Sequence, residues 1–258
     1  VTGVQTCALP ISGLLDMDRA GLMGHSMGGG VSALAIARSD HYRCGFALAP
    51  VFPGVTVAQA VTVPFGILAG EGDQATPWGQ HASPLFHLLG TEYGLRLLYV
   101  MDGAADHLNV AGLWLAGPSP IFDRAVDVAA GFFHHFLEGS TSGLESCLGD
   151  RARQNPNLLK LDASVAVPQT WADGPARLGK SVRVSVAAQD GLGGVLAAAG
   201  MVSGLPTVFG TLYLDPATAF PIGVSAASGD GRIDVRLTVP SNPVLLGTTI
   251  PDRKSTRL

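Results

Sequence analysis

Apolar residues in the first half of the chain fall into short unbroken runs: Ala20–Met23, Cys44–Pro50, Phe65–Gly70 and Leu95–Val100. Each is bounded by polar or glycine-bearing turns. Unbroken runs of this length, rather than alternating ones, predict strands buried on both faces. Between and after them, Val31–Arg38 and Ser83–Leu89 carry helical spacing. Ala125–Leu137 predicts a closing helix with Val126, Ala129, Ala130, Phe133 and Leu137 on one stripe. The segment from Pro50 to Val63 reads as a loop. Strands alternating with helices predict an α/β fold, a parallel sheet with helices on both faces.

Beyond Gly139 the pattern changes. Residues 140–178 are polar and proline-containing, with one apolar interruption at Leu161–Val167, and read as a linker. Ser181–Val186 then alternates strictly, Thr207–Leu214 has strand character, and Gly231–Pro240 alternates again. That period of two over residues 179–251 predicts a β-rich antiparallel module with one wet face. The two ends stand apart: Val1–Ile11 and Asp252–Leu258 resemble translated sequencing-adapter sequence and are left out of the fold reasoning. The expected native stretch is therefore Ser12–Pro251.

Charge narrows the partners. Lys and Arg number 16 against 20 Asp and Glu, for a net charge of -4, and there is no basic run. Such a chain is not expected to bind nucleic acid or an anionic membrane surface. Pro50, Pro53 and Pro64 break the longest apolar tract, so no membrane span is predicted. Cys7 falls in the terminal segment, which leaves Cys44 in an apolar run and Cys147 in a polar one. The expectations for Cys147 include a disulfide to Cys44 or to a cysteine outside the given sequence. His134 and His135 are adjacent on a helix and have no second ligand pair at zinc spacing, so neither a metal nor a cofactor is expected.

The chemistry centres on Gly24-His25-Ser26-Met27-Gly28, set between a predicted strand and a predicted helix. A Gly-x-Ser-x-Gly pentad in that setting makes a sharp elbow with the serine hydroxyl at its tip, and Met27 N–H opens the helix as an oxyanion donor. Glycine on either side is expected because a side chain there would strike the strand or the helix. A serine hydroxyl needs an imidazole to take its proton and a carboxylate to orient that imidazole. A parallel sheet delivers these at the carboxyl ends of its strands in the chain order serine, acid, histidine. Ser26, Asp73 and His107 each follow a predicted strand. Glu71, Asp102 and Asp106 compete for the acid, and His25, His81 and His87 for the base. His25 is expected to point away from the serine.

Together these residues carry a resemblance. Gly24–Gly30, Pro64–Gly70, Asp73–Pro77, His81–Pro84 and Asp102–His107 resemble the corresponding stretches of α/β-hydrolases of the bacterial cutinase, polyester hydrolase and dienelactone hydrolase group. The resemblance covers Asp16–Gly139, making residues 12–139 the later part of an α/β-hydrolase domain. It implies hydrolysis of a small or polymeric carboxylic ester through an acyl-enzyme, with Ser26, Asp73 and His107 as triad and Met27 as oxyanion donor. It also suggests that Trp78 lines the acyl pocket. The strand and loop that supply a second oxyanion donor in such enzymes fall before Ser12, so the chain as given is expected to be nearly inactive. Through Leu237–Gly247, the β-rich module resembles C-terminal β domains of exported bacterial proteins, and that resemblance implies secretion or a periplasmic location. The competing reading is a degenerate hydrolase fold serving as a binding or surface-attachment module.

Overall fold

The apolar run before Ser26 forms strand β1 (Ala20–His25), and the segment after it forms helix α1 (Met27–Ala37). The structure, a computed structural model, describes residues 16–90, 94–113, 119–140, 142–165, 169–174, 177–187, 192–197, 201–207, 210–214, 220–226, 232–239 and 241. The terminal segments 1–11 and 252–258 lie outside the described residues. Strands β2 (Tyr42–Leu48), β3 (Phe65–Gly70) and β4 (Leu95–Met101) follow, with helices α2 (Val55–Ala60) and α3 (Ala82–Leu88) between them. Helix α4 (Pro120–Phe133) comes after β4.

Strands β1 to β4 lie parallel and in chain order. Residues alternate between the two faces, as the pleat requires. On β4, Leu95, Leu97, Tyr99 and Met101 enter one core with Phe46, Phe132 and Cys147, under α4. Leu98 and Val100 enter the other with Ala33, Ile36, Ile67 and Leu85, under α1, α2 and α3. Burial on both faces is why these strands read as continuous apolar runs. Among the described residues β1 is an edge strand, paired with β2 alone.

Several expectations need correction. The predicted loop after Pro50 contains α2. The closing helix starts earlier, at Pro120, and ends in a widened π turn, His134–Glu138. Its buried stripe is Ile121, Ala125, Val128, Ala129 and Phe132, whereas Val126 is 48% exposed. The sheet is mixed rather than parallel, because strand β5 (Leu158–Val165) runs antiparallel beside β4, from Leu95 opposite Val165 to Met101 opposite Leu158. Residues 140–178, read as a linker, therefore supply a sheet strand. They also supply β6 (Gln169–Ala172), whose Trp171 is buried in the α4 core.

Beyond β5 the described strands pair antiparallel, in one three-stranded sheet and two two-stranded ones. Strand β7 (Ser181–Ala187) lies between β6 and β12 (Arg232–Thr238). Strands β8 (Leu192–Ala197) and β11 (Phe220–Ala226) form a second pair. Strands β9 (Met201–Thr207) and β10 (Gly210–Leu214) form another pair, so the predicted Thr207–Leu214 strand is divided between two antiparallel strands. Charge ties β7 and β12 to the segment after α4. Arg183 pairs with Asp150 and lies 2.8 Å from Glu145, Arg232 lies 3.0 Å from Asp150, and Trp171 Nε1 donates to Glu145 at 2.9 Å. Cys44 and Cys147 are both buried free thiols, not a disulfide.

Candidate active site

Register brings the carboxyl ends of β1, β3 and β4 to one edge of the sheet, with His25 opposite Leu48, Leu48 opposite Leu68, and Gly70 opposite Met101. Chain leaving those ends meets there, the usual place for a site in such sheets. Ser26, Asp73 and His107 all lie on these exits.

Ser26 stands between β1 and α1 with φ 57° and ψ -124°, a conformation that costs an L-residue about 1–3 kcal/mol. The surroundings hold it in place. Its N–H donates to Leu48 O at 2.9 Å, and its carbonyl accepts from Gly29 at 3.0 Å and Val51 at 2.9 Å. The glycine requirement is one-sided. A Cβ on Gly24 would lie 2.2 Å from Gly28 O, but one on Gly28 would meet nothing within 4 Å. The constraint expected at both positions applies to Gly24.

Ser26 Oγ lies 2.9 Å from His107 Nε2, and His107 Nδ1 lies 2.8 Å from Asp73 Oδ2. Asp73 is 1% exposed and well provided with donors. The N–H groups of Ala75 and Thr76 both donate to Oδ1 at 2.8 Å, and the Thr76 hydroxyl lies 2.7 Å from Oδ2. Burial works to raise the Asp73 pKa, but the bonds from the Thr76 backbone, His107 and the Thr76 hydroxyl outweigh it and hold the carboxyl below its ordinary value. Thr76 Oγ1 also lies 3.0 Å from Ala49 O, a residue with φ 42°, which ties the acid loop to the end of β2.

The loop that carries His107 is held by its neighbours. Asp106 Oδ1 accepts from Leu108 N at 2.9 Å and Asn109 N at 2.7 Å, while Asn109 Nδ2 donates to Ala104 O at 2.8 Å. Asp106 is thus occupied with its own turn, and Asp102 with Ala104 and Asn157. His81 Nδ1 accepts from Phe52 N at 3.1 Å. None of these rivals takes the place of Asp73 or His107. His134 meets Glu138 and His135 meets Ser140, rather than a shared ligand.

Trp78 is partly buried against the α3-side core, and Lys160 Nζ of β5 lies 5.7 Å from its ring centroid. One placement differs from expectation. His25 does not turn away from the site: its Nε2 lies 2.7 Å from His107 O and the two rings are 4.6 Å apart. The only sequence signal for His25 was its place beside the nucleophile. Met27 opens α1 directly after Ser26, and its side chain is 70% exposed.

Residues 1–113 match the family model described as PETase: PET hydrolase-like. No curated protein matches the chain. The matched stretch contains Ser26, Asp73 and His107, and it supports an α/β-hydrolase-type polyester hydrolase family and ester hydrolysis as the chemistry. No helix among the described residues is long and apolar enough to cross a membrane.

Proposed function

We propose that this protein is an exported serine hydrolase that cleaves carboxylic esters, polyesters among them, through an acyl-enzyme. The observation that carries this reading is the chain of short contacts from Ser26 Oγ through His107 to buried Asp73, at 2.9 Å and 2.8 Å. In it, His107 Nε2 takes the Ser26 proton as Oγ attacks the ester carbonyl. Asp73 keeps the proton of the neutral ring on Nδ1 and stabilises the imidazolium that forms. Met27 N–H, at the start of α1, faces the oxyanion. His107 returns the proton to the departing alcohol, and water then releases the acid by the same route in reverse. The polyester substrate comes from the family match.

The test is hydrolysis of p-nitrophenyl butyrate and of a terephthalate diester by the full chain and by Ser26→Ala. Turnover in Ser26→Ala is expected to fall to the uncatalysed background, because the nucleophile that carries the acyl group is gone. Equal turnover in the two proteins would overturn the reading. A second outcome, turnover of the butyrate but not the terephthalate, would keep the esterase and remove the polyester substrate.

A further inference from the structure

His25 is the residue before the proposed nucleophile, yet its ring reaches the loop that carries the proposed base. His25 Nε2 lies 2.7 Å from the backbone carbonyl of His107, and the ring centroids are 4.6 Å apart at a tilt of 46°. A carbonyl oxygen can only accept, so this contact requires the proton of His25 to sit on Nε2. The other described hydrogen bonds of that loop are internal to it, through Asp106 and Asn109, or run to Asn157 and to the acid loop, where Gly72 N donates to Ala105 O at 2.9 Å and the His107 ring meets Asp73 and Thr76. They shape the turn without fixing it against the elbow. His25 ends β1 and is paired in register with Leu48, so it is anchored to the sheet.

From this geometry, and resting on the ester-hydrolase reading above, we infer that His25 is a positioning residue: it holds the His107 backbone against the elbow and so sets the Ser26–His107 distance. The elbow and the base loop are then joined twice, once by the bond that reacts and once by a bond that does not. The second bond survives while the first exchanges its proton. It keeps the imidazole in line through the imidazolium stage, when the serine no longer donates to Nε2. Misplacement of a reacting group by about 1 Å costs about a hundred-fold in rate.

The test uses the full chain and the variants His25→Phe, which keeps a ring but loses the donor, and His25→Gln, which restores an N–H at similar reach. The readout is the rate of covalent labelling by a fluorophosphonate, together with kcat and KM on p-nitrophenyl butyrate and the melting temperature. The Phe variant should label about 10- to 100-fold more slowly, with the loss in kcat rather than KM, and Gln should recover most of the rate. A folded Phe variant that labels at the wild-type rate overturns the inference. So does a Gln variant no better than Phe. Nitrogen-15 NMR of the unmutated protein gives an answer even where Phe does not fold: a neutral His25 protonated on Nε2 supports the bond, and one protonated on Nδ1 rules it out. If the unmutated protein is not labelled at all, the hydrolase reading fails, while the NMR result still decides the His25 contact.

Discussion

Gly24 faces the carbonyl oxygen of Gly28 so closely that a Cβ on Gly24 would lie 2.2 Å from it, while Gly28 itself faces open space. The two glycines of the pentad therefore do different work. Gly24→Ala must push the start of α1 away from β1 and should cost at least the 1–3 kcal/mol typical of overpacking, roughly, with loss of serine labelling. Gly28→Ala adds a methyl group where there is room. It should leave stability unchanged or raise it by about 0.5–1 kcal/mol, the ordinary gain of alanine over glycine in a helix. Denaturant unfolding of the two variants separates them.

Thr76 gives Asp73 both a backbone and a side-chain bond. Thr76→Val removes the hydroxyl from beside a buried carboxylate. Bonds to charged groups contribute about 1.5–3 kcal/mol. The variant should lose stability on that scale and turn over more slowly, while Thr76→Ser should approach the parent. Steady-state kinetics beside thermal melts reads both effects.

Acid should destabilise the fold through two aspartates. Burial raises the pKa of each, but Asp73 is held below its ordinary value by Thr76 and His107, and Asp150 by Arg183 and Arg232. A carboxyl with a depressed folded pKa contributes stability that is fully present above its unfolded value, about 3.9. That stability is lost as pH falls through the lower folded value. Melting temperature should thus fall as pH drops below about 4. Asp150→Asn should melt lower at neutral pH and show a smaller acid decrement. An unchanged decrement would remove Asp150 from the account.

Burial pushes the Cys44 thiol up to about 12 and the Cys147 thiol up as well. Thiolate is the reactive form. Peptide mapping after a thiol reagent should find both unmodified in the native protein and both modified in guanidinium. Native labelling of Cys147 would contradict its burial and its bond to Val128 O at 3.2 Å.

The elbow and the four parallel strands were legible in the sequence because both depend on local pattern: apolar runs, and a pentad between a strand and a helix. The meeting of Ser26, Asp73 and His107 was legible through chain order alone. Strand β5 was not, since Lys160, Asp162 and Ser164 interrupt its apolar residues and its partner β4 is distant in sequence. Helix α2 was missed because it is short and opens with Val55-Thr56-Val57, residues that favour strands. On α4 apolar residues occupy more than one face, and the stripe was placed about one position out of phase. The His25 contact joins residues 82 positions apart in the chain, which no local pattern of residue types records.

Covalent capture at Ser26 tests the central claim most directly, because it needs an activated serine but no turnover. Incubating the full chain with a fluorophosphonate and mapping the adduct by peptide mass spectrometry should place it on Ser26, with labelling abolished in Ser26→Ala and slowed in His107→Ala. An adduct on another residue, or labelling of Ser26 at the same rate without His107, would contradict the account.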